Sequence, residues 1–125
     1  MTTVENQQPR TQGHSARLNV FPAFFNVAQK RVVIIGGGDE AASKLRLLGE
    51  TSARLEVVAH VLSPAMERAV ATTGARHINR HFEFEDLADA ALVFTAQEDE
   101  QADSLAVEAA RMIGVPINAV DRPHL

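Results

Sequence analysis

Apolar and polar positions alternate along this chain in two different periods. Arg31 opens "RVVIIG", a wholly apolar run rich in β-branched residues, as expected of a strand buried on both faces. From Asp39 to about Glu50 the period becomes helical, with Ala41, Leu45 and Leu48 at i, i+4 and i+7. "RLEVVA" reads as a second strand. In "LSPAMERAVAT", Ser63 before Pro64 suits a helix cap with proline at the first helical position. "ARHINR" predicts a third strand, "FEFEDLADA" a short acidic helix or turn, and "ALVFTA" a fourth strand. "DEQADSLAVEAARMIG" predicts a long helix, with Leu105, Ala109 and Met112 on one face and Gly114 as its stop. "VPINAV" completes a set of five strands.

Strands alternating with helices build βαβ units and a parallel sheet. The fold class expected is α/β: a Rossmann-like, doubly wound parallel sheet in the order 3-2-1-4-5. Ligands on such sheets bind at the carboxyl ends of the strands, where the order reverses. That point falls between the first and fourth strands. The polar stretch 1–17 reads as a disordered tail, and residues 18–125 as one NAD-binding Rossmann domain. Order should begin near "LNVFPAFF", with Phe21, Phe24 and Phe25 lying across the edge or end of the sheet.

The reversal point carries the chemistry. Gly36-Gly37-Gly38-Asp39-Glu40-Ala41 fits G-x-G-x-x-[G/A] between a strand and a helix. Gly36 would make the tight turn, Gly38 would let the backbone reach a pyrophosphate, and Ala41 would allow close helix–strand packing. The helix N-terminus then offers free N–H groups to the phosphates. The other reading is a glycine turn that merely packs tightly. No Gly-Lys-[Ser/Thr] closes a nucleoside triphosphate loop. An NAD site usually sets Asp or Glu on the ribose about 20 residues after the first glycine. Here the second strand ends Val57-Val58-Ala59-His60, with neither a carboxylate nor an arginine. His60 is a candidate ribose donor, or an exposed loop histidine.

Composition narrows the alternatives. The 125 residues suit one domain, and 46% hydrophobic content supplies a core. A net charge of −4 without a basic block argues against nucleic acid and anionic membranes as partners. There is no cysteine, hence no disulfide, thiolate metal site or cysteine nucleophile. No apolar run approaches the roughly 20 residues that span a bilayer, and no signal peptide opens the chain, so a cytoplasmic protein is expected. His77 and His81 lack a third ligand in sequence, so they read as solvated histidines and no metal site is expected. Glu83, Glu85, Asp86 and Asp89 read as a solvated acidic face, and Glu98 to Asp103 as acids favouring a helix N-terminus. Lys44 has a surface or a functional reading.

At "VFPAFFNVAQKRVVIIGGG", "GGGDEAASKLRLL", "ARLEVVA", "LSPAM" and "INAVDRPHL" the chain resembles the N-terminal precorrin-2 dehydrogenase and ferrochelatase module of siroheme synthases. The resemblance covers about Leu18 to Leu125. It implies oxidation of precorrin-2 to sirohydrochlorin with NAD, with ferrous iron as a further substrate and a homodimer in the full-length form. It implies Asp121 as the catalytic carboxylate, whose other reading is a cap on the turn before Pro123. It also sets Ala96 and Gln97, where the family reads Ala-Thr, near the adenosine end of the cofactor; Asp103 stands at a family asparagine. The family's Ala-Gly turn after the first helix is Thr51-Ser52, leaving Gly49 inside that helix at a cost of about 1 kcal/mol. The family continues past this point into segments that complete the tetrapyrrole cleft. The chain therefore reads as a fragment, a truncated product or a degenerate relative, with little dehydrogenase activity alone. The alternatives are a module that binds the dinucleotide without catalysis, or a nucleotide-sensing domain of the kind that gates potassium transport. The carboxylate-free "VVAH" speaks against the latter.

Overall fold

The computed structural model describes residues 24–125. The expectations for residues 1–17 and for Phe21 lie outside them. Five strands, β1 (Arg31–Ile35), β2 (Arg54–Val58), β3 (Arg76–Ile78), β4 (Leu92–Thr95) and β5 (Ile117–Ala119), form one sheet in the order β3-β2-β1-β4-β5. All four pairings are parallel. Helices α1 (Asp39–Leu48), α2 (Pro64–Thr73) and α3 (Glu100–Ile113) supply crossovers, and a short 3-10 turn (Phe84–Leu87) precedes β4. This is the Rossmann-like arrangement that the periodicity predicted.

Alternate residues of β1 feed two cores. Val32 and Ile34 face α1 and α2, packing with Leu45, Val57 and Met66. Val33 and Ile35 face α3 and the 3-10 turn, packing with Leu87, Val93, Ala106 and Ala110. Coverage on both faces explains why β1 carries no polar residue after Arg31. The helix ends follow local chemistry. Ser63 Oγ accepts the Met66 N–H at 3.1 Å, and Gly74 and Gly114 close α2 and α3 in the left-handed region.

Three expectations need correction. The buried face of α3 is Asp103, Ala106, Val107 and Ala110, whereas Leu105 is 66% and Met112 80% exposed. Large side chains suggested the wrong face; the small ones let α3 sit close against the sheet. Gly49 is the C-cap of α1, outside the helix, so the interior-glycine penalty does not apply. A Cβ there would come within 2.6 Å of the Thr73 methyl, so Gly49 permits the approach of α1 to α2. Phe24 and Phe25 are exposed, and Val27, just after them, packs partly on the core.

Asp86 belongs to no solvated acidic face. It is buried and takes two bonds from Arg80, at 2.8 and 2.7 Å, and one from the Glu83 N–H at 2.7 Å. Burial alone would raise its pKa. The hydrogen bonds from Arg80 and Glu83 and the charges of Arg80 and Arg31 outweigh it and hold the carboxyl below its usual value. The resulting stability is present above the unfolded-state pKa, about 3.9, and is lost as pH falls through the lowered folded value. Asp86→Asn should therefore cost about 2 kcal/mol at neutral pH, and the gap to wild type should close on acidification. Urea melts at stepped pH read this out; a gap constant from neutral pH to about pH 2 would contradict it.

Candidate functional site

The glycine turn lies where the sheet order reverses, between the carboxyl ends of β1 and β4. Its three glycines have different reasons to be there. Gly36 has a φ of +129°, and a Cβ on it would strike the Ala96 carbonyl. A Cβ on Gly37 would strike the Val61 carbonyl. These two are small because the chain's own backbone crosses them. Gly38, the N-cap of α1, has an ordinary extended backbone at φ −92°. A Cβ on it would meet only the Glu98 side chain, with Oε2 at 2.5 Å. Only at Gly38 does a movable group, rather than fixed backbone, occupy the space. An oxyanion could take the same place on the helix N-terminus.

A cleft of about 380 Å³ opens beside the turn. It brings together Gly36, Gly37, Gly38, His60, Ala96 and Gln97 of the sequence candidates. Asp39 and Glu40 stand exposed on the first turn of α1, and Ala41 is fully buried beneath it; none lines this cleft. The side-chain amide of Gln97 is turned back, donating to Thr95 Oγ1 at 3.0 Å. Sequence reasoning did not single out Val61, Ser63, His81 or Phe82 as lining residues. His77 is half-buried rather than solvated, its Nε2 lying 2.8 Å from the Ala59 carbonyl oxygen.

Asp121 stands outside the cleft, past the end of β5, with its backbone in the left-handed region at φ +60°. Aspartate tolerates that conformation better than most residues. Its side chain pairs with that of Glu40. The hydrogen bond to Asp121, and then the negative charge of Asp121, raise the Glu40 pKa, while Arg122 works in the opposite direction. Two carboxyls, one from α1 and one from the end of β5, therefore lie close together beside the glycine turn.

Asp103 lies in the first turn of α3, as expected, but is 1% exposed inside the molecule. Its Oδ1 accepts from Thr95 Oγ1 at 2.7 Å and from the Gln97 N–H at 3.0 Å. Its Oδ2 accepts from Arg122 Nε at 2.7 Å. One buried carboxylate thus holds the segment after β4 and the segment after β5, the two that carry Gln97 and Asp121. The signal was present in sequence: Asp103, Ala106, Val107 and Ala110 share one helical stripe.

The family model described as "Putative NAD(P)-binding" matches residues 23–125. The chain belongs to this family. It is 34% identical over 108 residues to the siroheme synthase of Stutzerimonas stutzeri, and 32% identical over 109 residues to that of Nitrosomonas europaea. Each match covers 86% of this chain and 23% of the relative, so the chain spans about a quarter of the length of these curated relatives. Among solved structures, SirC, a precorrin-2 dehydrogenase, superposes with a TM-score of 0.64 at 17% identity, over 81% of this chain and 49% of the other. A saccharopine dehydrogenase from Saccharomyces cerevisiae superposes with a TM-score of 0.55 at 16% identity, over 74% of this chain and 22% of the other. These two likenesses show the fold. Among the described residues, no helix is long and apolar enough to cross a membrane.

Proposed function

We propose that this chain is the dinucleotide-binding module of siroheme synthesis and serves the oxidation of precorrin-2 to sirohydrochlorin. The observation that carries the reading is Gly38: an N-cap glycine with unstrained backbone, open toward a movable side chain, at the carboxyl edge where the sheet order reverses. The names of the curated relatives and of the SirC neighbour support the pathway.

The residues fit a nicotinamide dinucleotide. The N-terminus of α1 would take the pyrophosphate, and the cleft along the β2 end would take the adenosine half. A bound nicotinamide supplies the hydride acceptor. Removing a hydride from the tetrapyrrole also releases a proton, and Asp121 is the group assigned to take it. Glu40 lies beside Asp121, whose hydrogen bond and negative charge raise the pKa of the Glu40 carboxyl. Ferrous iron, as a substrate of a later metallation, would meet the same carboxyl.

The test has two stages. Calorimetry should detect a nicotinamide dinucleotide binding to the 125-residue chain. Reduced dinucleotide should then form from precorrin-2 in a version extended by the segments found in the longer relatives, and Asp121→Asn should lower that rate by at least about 100-fold. Asparagine keeps the left-handed backbone, so a loss would report on the carboxylate and not on strain. Unchanged turnover by the asparagine variant would remove Asp121 from the chemistry. Binding without turnover in any form would favour a role confined to dinucleotide binding.

A further inference from the structure

Asp121 sits in a backbone conformation that needs support from outside. It is the third residue of a four-residue turn, which the Arg122 N–H closes on the Ala119 carbonyl at 3.1 Å. With a φ of +60°, that position suits glycine or asparagine best. A non-glycine residue stays in the left-handed region only where its surroundings over-determine it, and such residues gather at functional sites.

The support comes from both sides of the turn. Before it, the Val120 N–H bonds the Thr95 carbonyl at 2.9 Å. After it, Arg122 donates through Nε to Asp103 Oδ2 at 2.7 Å, and its Nη1 lies 3.8 Å from Glu100 Oε1. Both acids belong to the first turn of α3. The guanidinium also acts at a distance. Its charge lowers the Glu40 pKa, against the opposite pull of Asp121 and Glu98.

Asp103 faces two ways. Its Oδ1 takes the Thr95 hydroxyl and the N–H of Gln97, a residue of the cleft. Its Oδ2 takes the arginine that follows Asp121. One planar group thus sets the cleft wall and the Asp121 turn in a fixed relation. Stability is a poor reason for this arrangement, because desolvation offsets much of what a buried ion pair returns. Positioning is a better one. A displacement of about 1 Å between reacting groups can cost about 100-fold in rate.

We propose that Asp103, acting through Arg122, is a positioning residue for Asp121, and fixes the proton acceptor relative to the cleft that takes the dinucleotide. The proposal rests on the reading of Asp121 as the proton acceptor.

The experiment begins with the 125-residue chain. Asp103→Asn keeps an oxygen for Thr95 and Gln97 but turns an N–H toward Arg122, so it frees the turn and spares the cleft. The Arg122 amide should then exchange with solvent at least about tenfold faster than in wild type. NAD affinity and Tm should stay close to wild type. In the version extended by the segments of the longer relatives, kcat for oxidation of precorrin-2 should fall at least about tenfold, with KM for NAD unchanged. The double variant Asp103→Asn/Arg122→Gln leaves no buried charge unpaired, so it folds even if the single variant does not. It should show the same loss in kcat. The acidic limb of its pH profile should also move to higher pH, because the Glu40 and Asp121 carboxyls lose a neighbouring positive charge and protonate sooner. Wild-type exchange at Arg122 would overturn the proposal. So would wild-type kcat in both variants beside a slow Asp121→Asn. A loss of NAD affinity as large as the loss in kcat would reduce Asp103 to a prop for the cleft wall, and would overturn it too. If Asp121→Asn turns over as fast as wild type, the underlying reading falls and takes the proposal with it.

Discussion

Gly38→Val should lose at least about 100-fold in dinucleotide affinity while melting within a few degrees of wild type. The first half follows from space. A Cβ at Gly38 would already crowd Glu98 at 2.5 Å, and a β-branched side chain would fill the approach to the N-terminal N–H groups of α1. The second half follows from the backbone. Gly38 lies at φ −92° and ψ −169°, an extended conformation that any residue adopts, and Glu98 is exposed and can swing away. Binding and folding should therefore separate at this one position. Titration calorimetry beside a thermal melt decides it. Equal affinity in the two proteins would mean that the phosphates do not pass Gly38.

Gly36→Val should do the reverse and unfold the protein. Its φ of +129° is a region that valine does not tolerate, and its Cβ would collide with the Ala96 backbone. Neither neighbour can yield. The Gly36 N–H bonds the Val58 carbonyl at 3.0 Å, and the Ala96 N–H bonds the Ile35 carbonyl at 2.8 Å. Strain and overpacking together should cost about 3 kcal/mol or more. For a domain of this size that is a drop in Tm of at least about 12 °C. A variant that melts with wild type would show that the crossing of β4 over the turn is looser than described.

The contrast between these glycines marks the limit of what is legible in sequence. The motif announces a strand, a turn and a helix, and all three are where it puts them. It does not tell which glycine answers to a ligand and which to the chain itself. That depends on where Ala96 and Val61 pass, residues about 60 and 24 positions away from the turn. Strand order was legible because alternation and crossover handedness leave few topologies. The α3 face was misread because size was taken for burial, when a close-packed helix needs small residues toward the sheet. His81 was passed over as a cleft residue because only the return of the chain after β3 brings it to His60.

Asp103 carries an evolutionary consequence. It is an anion buried among Thr95, Gln97 and Arg122, and Arg122 is its only cationic partner among the described residues. Replacing Arg122 alone strands the Asp103 carboxylate in the interior, which costs more than most domains can spare. Replacing Asp103 by a neutral amide is milder for folding: the amide would still cap Thr95 and Gln97, and Arg122 is partly exposed beside Glu100. As far as stability goes, the order of substitution is thus biased, with the aspartate free to go first and the arginine bound to wait for it. Descendants of this chain that lose Arg122 should already have lost the charge at 103, even where the surrounding loop drifts freely.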